Sequence, residues 1–297
     1  MLIHMHCQPE SPVRVVVLGS GGFIGGAITK SLRASGISTL ALSRVEMDLL
    51  LPTAVDALAT LLQPNDVLVL ASANAPCKDL AMLRDNLSMI ETVCTALQRQ
   101  PVAQVVYISS DAVYKDSTSP LTEESCAEPN SLHGVMHLAR EVALRQAYAG
   151  PLALVRPTLV YGLNDPHNGY GPNRFRRLAA QGQDIVLFGE GEERRDHVDV
   201  QDVADLVMQI VRRRSAGIAN AVTGQVVSFR ELAQFAAAAF SPRVTVRGST
   251  RVGEMPHNGY RAFDNRELCA ALPGLHFKHW QEGLTQVHQQ QVAEKAS

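Results

Sequence analysis

Three glycines spaced three residues apart follow a short apolar segment near the start of the chain. Gly19, Gly22 and Gly25 form a G-x-x-G-x-x-G motif, directly between the β-branched run VRVVVLG and a segment with helical spacing. In this context the first glycine permits a tight turn, the second lets the backbone approach a pyrophosphate, and the third allows close helix packing. The N-terminus of the helix adds N–H donors and a positive dipole. The motif therefore predicts a dinucleotide-binding site.

The residues that end the next predicted strand bear on which dinucleotide binds. An acidic residue at this point binds a ribose 2′-hydroxyl, whereas an arginine accommodates a 2′-phosphate. The strand STLALS ends at Ser43 and is followed by Arg44, with Glu46 and Asp48 close behind. Arg44 slightly favours NADP, and the two carboxylates leave NAD as the alternative.

Two histidines lie one helical turn apart in the segment SLHGVMHLARE. His133 and His137, at i and i+4, share one helix face, so both can point into the same cavity. A histidine has an unperturbed pKa of about 6.5, so both rings are mostly neutral at pH 7 and able to accept a proton. The same spacing suits a metal site, but the segment lacks the glutamate of HExxH and has no assigned third ligand. We therefore predict no metal.

These residues need a scaffold of alternating strands and helices. Strands that alternate with helices form parallel βαβ units with right-handed crossovers, so the predicted fold class is α/β with a doubly wound parallel sheet. A helical stripe of Leu83, Leu87, Ile90, Val93 and Leu97 separates the third and fourth strands. The predicted strands are Val13 to Gly19, Ser38 to Ser43, Asp66 to Ser72, Gln104 to Ser110 and Leu152 to Gly162. Further helices are predicted at about Leu132 to Ala149, Phe175 to Gln181 and Val200 to Arg213.

The character of the chain changes after Gly162. The segment GLNDPHNGYGPN is rich in Gly, Asn and Pro, which is typical of a ligand-facing loop or of a crossing between domains. Later elements are shorter and less regular. We predict a dinucleotide-binding domain over residues 1–162, with about 198–224 returning to it, and a smaller substrate-binding lobe over 163–197 and 225–297.

Composition narrows the class of ligand and the compartment. The 297 residues include 27 Lys and Arg against 29 Asp and Glu, with no basic run, which argues against nucleic acid or a membrane as partner. The five cysteines contain no CxxC and fit reduced cytosolic thiols. No stretch nears the roughly 18 apolar residues of a membrane span, and the N-terminus does not resemble a signal peptide. We expect a cytoplasmic protein with a small-molecule ligand, and a frayed N-terminus in which His4 and His6 have no role.

Several sequence blocks together resemble the extended short-chain dehydrogenase/reductase superfamily, in particular its nucleotide-sugar epimerases, dehydratases and reductases. The resemblance spans nearly the whole chain and implies a Rossmann fold, an NAD or NADP cofactor and a nucleotide-sugar substrate. The blocks are GSGGFIGG, Asp48-Leu49, Asn86, VVYISSDAVY at 105–114, VRPTLVYG at 155–162 and GEGEERRDHVDVQDVA at 189–204.

The resemblance also implies which residues contact the cofactor. Asp48 and Leu49 stand where the family contacts adenine. The complete expected set is Gly19, Gly22, Phe23, Ile24, Gly25, Arg44, Asp48, Leu49, Ala71, Asn86 and Pro157.

The family's catalytic residues are matched only in part. Its members use a Ser or Thr, a Tyr and a Lys, and Ser110 stands at the Ser/Thr position. His133 and His137 stand where the family has the tyrosine and the lysine. A tyrosine with a pKa of about 10 needs the lysine to become a base, whereas a histidine does not. We expect His133 to exchange the proton and His137 to bind the ribose or relay a proton; the alternative is a degenerate, non-catalytic binding protein.

The remaining blocks concern the substrate. Asp111 follows Ser110 as in the 4,6-dehydratases, but Ala112 replaces their glutamate, which disfavours dehydration and leaves epimerisation or 4-ketosugar reduction. Arg195 matches the position at which the family grips the nucleotide diphosphate, and Asn173 is a weaker candidate for the same task. We expect His197 to be a packing variant of the family's aromatic residue.

The resemblance further implies a homodimer. In many relatives the helix that carries the Leu83 to Leu97 stripe pairs with the helix that begins near Leu132 to form an intersubunit bundle. The same apolar spacing equally fits burial against the sheet.

Overall fold

A computed structural model describes residues 2–296, and the side chains of residues 2–293. The outer limits of the predicted domains, Met1 and Ser297, lie outside the described residues. The strands are β1 Ile3–His4, β2 Arg14–Leu18, β3 Thr39–Leu42, β4 Asp66–Leu70, β5 Gln104–Ile108, β6 Leu152–Pro157, β7 Leu159–Tyr161, β8 Ile185–Phe188, β9 Arg194–Arg195, β10 His197–Asp199, β11 Ser215–Ala221, β12 Val227–Ser228, β13 Val246–Ser249 and β14 Tyr260–Arg261. The helices are α1 Phe23–Ala34, α2 Ala54–Leu61, α3 Leu80–Arg99, α4 Leu132–Ala147, α5 Pro172–Ala180, α6 Val200–Arg212, α7 Phe229–Ala238, α8 Arg266–Ala271 and α9 Trp280–Ala296.

A seven-stranded sheet forms the centre of the molecule. Its order is β1-β11-β6-β5-β4-β2-β3, and all neighbours are parallel except β1, which is antiparallel to β11. The chain runs from β2 outward to β3 and then crosses back past β2 to β4, so the strand order reverses at β2. This confirms the predicted α/β class with a doubly wound parallel sheet. Ligands of such sheets bind outside the carboxyl ends of the strands at the point of reversal.

Helices cover both faces of this sheet and create two cores. On β2, Val15 and Val17 point to the face that α1 and α6 cover, whereas Val16 and Leu18 point to the face covered by α2, α3 and α4. Successive residues of a strand face opposite sides, so a strand buried on both sides must be apolar throughout. This is why the strands read as continuous hydrophobic runs.

A third core lies outside the central sheet. Phe175 of α5, Leu187 of β8, Leu232 of α7 and Leu284 of α9 are buried in it together. β8 pairs with β13, and β9 pairs with β12 and β14, in two small separate sheets. These elements form a smaller unit on top of the carboxyl ends of the central strands.

The strand predicted over Leu152 to Gly162 is two strands. β6 stays in the central sheet, whereas β7 pairs in parallel with β10. Pro157 ends β6, and because proline has no N–H it cannot continue the ladder of hydrogen bonds. Thr158, between the two strands, donates its hydroxyl to the Asp196 carbonyl at 3.2 Å.

The expectation of a frayed N-terminus is wrong. Residues Ile3 and His4 form the antiparallel edge strand β1. The His4 ring contacts the Ser215 hydroxyl through Nδ1 at 2.7 Å and the Ala271 carbonyl through Nε2 at 2.9 Å. Each ring nitrogen therefore ties the N-terminal segment to a different part of the fold.

The five cysteines are all free thiols, Cys77 and Cys94 being buried. Within residues 2–296 no helix combines the length and the hydropathy that a membrane-spanning segment requires.

Candidate active site

The turn between β2 and α1 is built on glycines that leave no room for side chains. Gly19 has φ +88°, and a Cβ atom there would lie 2.5 Å from the Ser72 amide nitrogen, just after β4. A Cβ atom at Gly25 would overlap the Gly19 carbonyl group. Gly22 is the N-cap residue of α1 and offers no side-chain hydrogen bond, so the first N–H groups of the helix are available to an anion. The turn fits the diphosphate of a dinucleotide.

A cavity of about 440 Å³ adjoins this turn. Its walls come from the ends of β2, β3 and β4 and from the segment after β3. The predicted cofactor residues that line it are Gly19, Gly22, Arg44, Asp48, Leu49 and Ala71.

Charged side chains lie at and beside this cavity in the segment that follows β3. Arg44 is 78% exposed, and its Nε donates to Asp48 at 3.2 Å. The Glu46 carboxylate accepts hydrogen bonds from the Ser43 amide at 2.8 Å and from the Ser43 hydroxyl. These two bonds lower the pKa of Glu46, which stays ionised. A ribose 2′-substituent in this part of the crevice would therefore have one exposed cation and two carboxylates nearby.

A second cavity, of about 590 Å³, continues along the carboxyl ends of the strands. It shares Gly22, Ala71 and Ala73 with the first, so the two form one crevice. The other predicted site residues that line it are Phe23, Ile24, Gly25, Ser110, Asp111, His133, His137, Pro157, Asn173 and Arg195.

Helix α4 brings the two histidines to the wall of this second cavity. The His133 and His137 rings lie edge to face, with 4.7 Å between their centroids. Burial lowers the pKa of both rings; Asp111 opposes the shift at His133, and the neighbouring ring and Arg140 add to it at His137. Both histidines are therefore neutral near pH 7. The structure shows the shared helix face that the i, i+4 spacing predicts.

The ring nitrogens of the two histidines have different partners. Cys77 N–H donates to His133 Nδ1 at 3.4 Å, which is longer than an ordinary N–H hydrogen bond. His137 Nδ1 lies 2.7 Å from the hydroxyl oxygen of Tyr107 on β5. The contact at His133 Nδ1 is therefore weak, whereas Nδ1 of His137 is engaged in a short hydrogen bond.

The turn that begins at Ser110 packs directly against the start of α4, which carries His133. Ser110 Oγ accepts the Ala112 N–H at 3.1 Å and thereby starts a 3₁₀ turn over Asp111–Val113. A Cβ atom at Gly134 would overlap the Ala112 carbonyl, so only a glycine lets α4 approach this turn. The glycine after His133 thus determines how close the histidine comes to Ser110.

Asp111 and Arg195 belong to a buried ionic cluster. Arg261, which is 2% exposed, donates its Nε to Asp111 Oδ2 at 2.9 Å. Arg195 lies 3.8 Å from the same oxygen and 3.3 Å from Glu193. Arg195 therefore lines the cavity as expected but is already paired with two carboxylates. No sequence motif marks Arg261, since it lies 150 residues from Asp111 on a two-residue strand.

Two of the predicted contact residues use their amides within the protein. Asn173 Oδ1 accepts the Gly162 N–H at 3.1 Å, and its Nδ2 donates to Asp165 at 2.9 Å. Asn86 is fully buried behind Asn74, with which it exchanges two hydrogen bonds of 2.9 Å each. Asn74 lines the first cavity, so Asn86 shapes the wall of the cavity from behind.

His197 lies in the wall of the second cavity with 1% exposure. Its Nδ1 donates to the Arg195 carbonyl at 3.1 Å, and its ring packs edge-on against Phe229. Burial lowers the pKa of His197 to about 3, so the ring is neutral. Across the described residues, no three His, Cys, Asp or Glu side chains come together as metal ligands.

The parallel sheet, the glycine turn and the crevice at the reversal of strand order define a dinucleotide-binding α/β protein. The chain belongs to the NAD dependent epimerase/dehydratase family, which it matches over residues 15–223. The resemblance noted in the sequence is thereby confirmed.

Relatives and solved structures agree with this assignment. GDP-L-fucose synthase 1 of Arabidopsis thaliana is 26% identical over 253 residues, which cover 76% of this chain and 77% of the relative. UDP-glucose 4-epimerase of Thermus thermophilus, in complex with NAD, superposes with a TM-score of 0.82 at 23% identity, covering 93% and 98% of the two chains. A GDP-L-fucose synthetase from Naegleria fowleri bound to NADP gives 0.81 at 16% identity, covering 99% and 98%. At these identities the two solved structures show a common fold.

Proposed function

We propose that the chain is an NAD(P)-dependent nucleotide-sugar epimerase or 4-ketosugar reductase in which His133 exchanges a proton with the reacting oxygen. One observation carries the proposal: a neutral histidine lies beside the Ser110 turn, in a cavity continuous with the glycine turn. Family membership and the relatives' names, which refer to UDP-glucose and GDP-L-fucose, support the substrate class.

The cofactor fits the crevice by its chemistry. The N–H groups at the start of α1 would hold its diphosphate, Asp48 and Leu49 would contact the adenosine, and Pro157 would border the nicotinamide. A bound nicotinamide supplies or accepts the hydride. The chain's own residues therefore have to orient the sugar and transfer one proton to or from its reacting oxygen.

Each side chain of the second cavity has a role in this proposal. Ser110 Oγ hydrogen-bonds the reacting oxygen, and His133 accepts its proton in oxidation and returns one in reduction. His137 donates a hydrogen bond to the ribose or the sugar. Arg195 binds the diphosphate of the substrate, for which it must exchange part of its pairing with Glu193 and Asp111. Ala112 offers no carboxylate for dehydration.

We propose the two domains predicted from the sequence, one that binds the dinucleotide and one that binds the substrate. The first cavity is lined by residues between 18 and 89, and α6 and β11 share the core and the sheet that carry it, which supports dinucleotide binding by residues 1–162 and about 198–224. Residues between 165 and 173, with 195 and 197, line the second cavity, and α5, β8, α7 and α9 share the third core, which supports a substrate lobe over 163–197 and 225–297.

We further propose a cytoplasmic homodimer. Apolar side chains on the outer faces of α3 and α4 support the pairing of these helices between subunits. The exposed side chains are Leu80, Leu87, Val135 and Val142.

The proposed activity is tested by incubating the purified protein with both dinucleotides and a panel of UDP-, GDP-, dTDP- and ADP-sugars and their 4-keto derivatives. Mass spectrometry and NMR would identify the product, and hence whether the reaction is epimerisation or reduction. Conversion of one sugar establishes catalysis without a Tyr and Lys pair. Binding of dinucleotide with no conversion of any sugar favours the non-catalytic alternative, which the absence of that pair motivates.

We expect opposite effects on dinucleotide preference from two neighbouring substitutions. Among the described residues Arg44 is the one Lys or Arg that lines the first cavity, so Arg44→Ala should weaken NADP binding by about tenfold, the value of one charge-assisted hydrogen bond, with NAD within about twofold. Glu46→Gln removes a negative charge at the same point and should strengthen NADP binding. Titration calorimetry with each dinucleotide measures both affinities.

Arg99→Ala serves as the control, because Arg99 pairs with Asp56 on the surface, away from both cavities. If Arg44→Ala weakens the two dinucleotides equally, the proposed preference for NADP is wrong.

A further inference from the structure

Strand β5 carries a polar side chain in the middle of the core. Tyr107 has 0% exposure and packs among apolar residues, yet its hydroxyl oxygen lies 2.7 Å from His137 Nδ1. A buried hydroxyl that makes no hydrogen bond costs about 1–3 kcal/mol. The contact with His137 meets that requirement and links the core to the wall of the second cavity.

The direction of this hydrogen bond follows from the surroundings of Tyr107. Burial raises the pKa of the phenol, which stays protonated, and Arg140 only partly opposes the shift. Across the described part of the chain, His137 Nδ1 is the one hydrogen-bond partner of this hydroxyl. The hydroxyl must therefore donate to Nδ1, because the opposite arrangement would leave its proton buried without an acceptor.

This direction determines the state of His137. The ring is neutral and carries a single proton, and Nδ1 uses its lone pair to accept from Tyr107. The proton consequently resides on Nε2. His137 lines the second cavity, so the nitrogen that remains for a ligand is a hydrogen-bond donor.

The charged groups around His137 keep it in this state. The Arg140 guanidinium lies 5.1 Å from the centroid of the Tyr107 ring and donates to the Ser72 carbonyl at 2.8 Å and to Asn86 at 3.3 Å. These acceptors are neutral, so its positive charge disfavours a second proton on His137. Glu141, one residue further along α4, is paired with Arg156 at 2.6 Å and does not offset this effect.

We infer that Tyr107 is a positioning residue that fixes His137 as a permanent hydrogen-bond donor to the substrate cavity. The two histidines then have separate tasks: His133 exchanges the proton, and His137 holds an oxygen of the sugar or of the nicotinamide ribose. This inference rests on the proposed function for its catalytic consequence, but the state of His137 can be measured without any substrate.

The first test is spectroscopic. In protein labelled with ¹⁵N-histidine, the His137 ring of the unsubstituted protein should show the signature of a single neutral tautomer with the proton on Nε2. Tyr107→Phe retains the ring and removes only the hydroxyl, and should convert this signal into a mixture of tautomers. A proton on Nδ1 in the unsubstituted protein, or an unchanged tautomer in Tyr107→Phe, would overturn the inference. The signal is assigned to His137 by its loss in the spectrum of His137→Gln.

The second test is kinetic. Tyr107→Phe should lower kcat in proportion to the fraction of His137 that keeps its proton on Nε2, about twofold for an even mixture of tautomers, with little change in the KM for dinucleotide. His137→Gln, which retains an N–H donor, should keep more activity than His137→Leu. Equal activity of the two His137 variants, or full activity of Tyr107→Phe, contradicts positioning by Tyr107 and leaves the proposed function standing.

A matched control separates positioning from stability. Tyr148 is a second core tyrosine, and its hydroxyl donates to the Val102 carbonyl at 2.9 Å. It does not line the second cavity. Tyr148→Phe removes a buried hydrogen bond of the same kind and should lower the thermal midpoint as Tyr107→Phe does, with no change in the His137 signal. If no sugar nucleotide is converted, the proposed function fails while the tautomer measurement remains decisive.

Discussion

Replacing His133 with phenylalanine is expected to lower turnover by a factor of about 10²–10⁴, the usual contribution of a positioned acid or base. Phenylalanine keeps an aromatic ring in the same half-buried position but cannot carry a proton. Dinucleotide affinity should change by less than about twofold, because His133 lies in the second cavity and the proposed adenosine contacts lie in the first. Steady-state kinetics together with dinucleotide titration measure the two effects separately.

His276→Phe is the matched control, since His276 is exposed and lines neither cavity. Full turnover in His133→Phe would show that the proton is exchanged elsewhere.

The pH dependence of the unsubstituted enzyme follows from the same histidine. Burial lowers the pKa of His133 from its usual 6.5, against the pull of Asp111. In the direction of oxidation the ring must be neutral, so activity should persist below pH 6.5 and fall only as the pH drops through the lowered pKa. In the direction of reduction the protonated ring is needed, and activity should fall as the pH rises through that same pKa. If the fall in activity at acidic pH is unchanged in His133→Phe, the titration that causes it does not belong to His133.

Gly25→Ala should weaken the binding of either dinucleotide by about tenfold to a hundredfold, which corresponds to a cost of about 1–3 kcal/mol for overpacking. The added methyl group would overlap the Gly19 carbonyl group, which is backbone and cannot swing aside. The glycine turn and α1 must therefore separate, and the N–H groups that face the diphosphate move with the helix. Calorimetric titration gives the affinity, and a thermal melt reports the accompanying loss of stability.

The same substitution at Gly274 provides the comparison, because a Cβ atom there meets nothing within 4 Å and φ is not in the left-handed region. Gly274→Ala should bind both dinucleotides normally. Normal binding by Gly25→Ala would show that the turn tolerates a side chain and is not the diphosphate site.

The central sheet could be predicted because its strands are buried on both faces. β2, β4 and β5 are continuous apolar runs between polar segments, and no other element of this length requires that pattern. By contrast, α9 is rich in glutamine and inserts only a few side chains, such as Leu284 and Val287, into a core made by distant residues. Its position depends on tertiary packing that local periodicity does not record.

The candidate site was predictable where one segment supplies the chemistry. The spacing of His133 and His137 already places them on one face of α4. The role of Tyr107 has no signal in the sequence, because a tyrosine in the run QVVYI is expected in a core. Only its distance to His137 distinguishes it from a packing residue. Arg261 has no sequence signal for a different reason. It lies on a two-residue strand and donates a hydrogen bond to Asp111, and no local pattern indicates that contact.

The two-residue strand at the N-terminus occupies part of one edge of the central sheet. β1 pairs with Ser215 and Ala216 at the start of β11 and so occupies part of an edge whose N–H and C=O groups would otherwise be unpaired. Such an edge is a template on which another chain can add a strand and begin aggregation. Removing residues 2–10 should therefore reduce solubility, and it should also reduce stability because Leu2 lies in the core and His4 is bonded to Ser215 and Ala271.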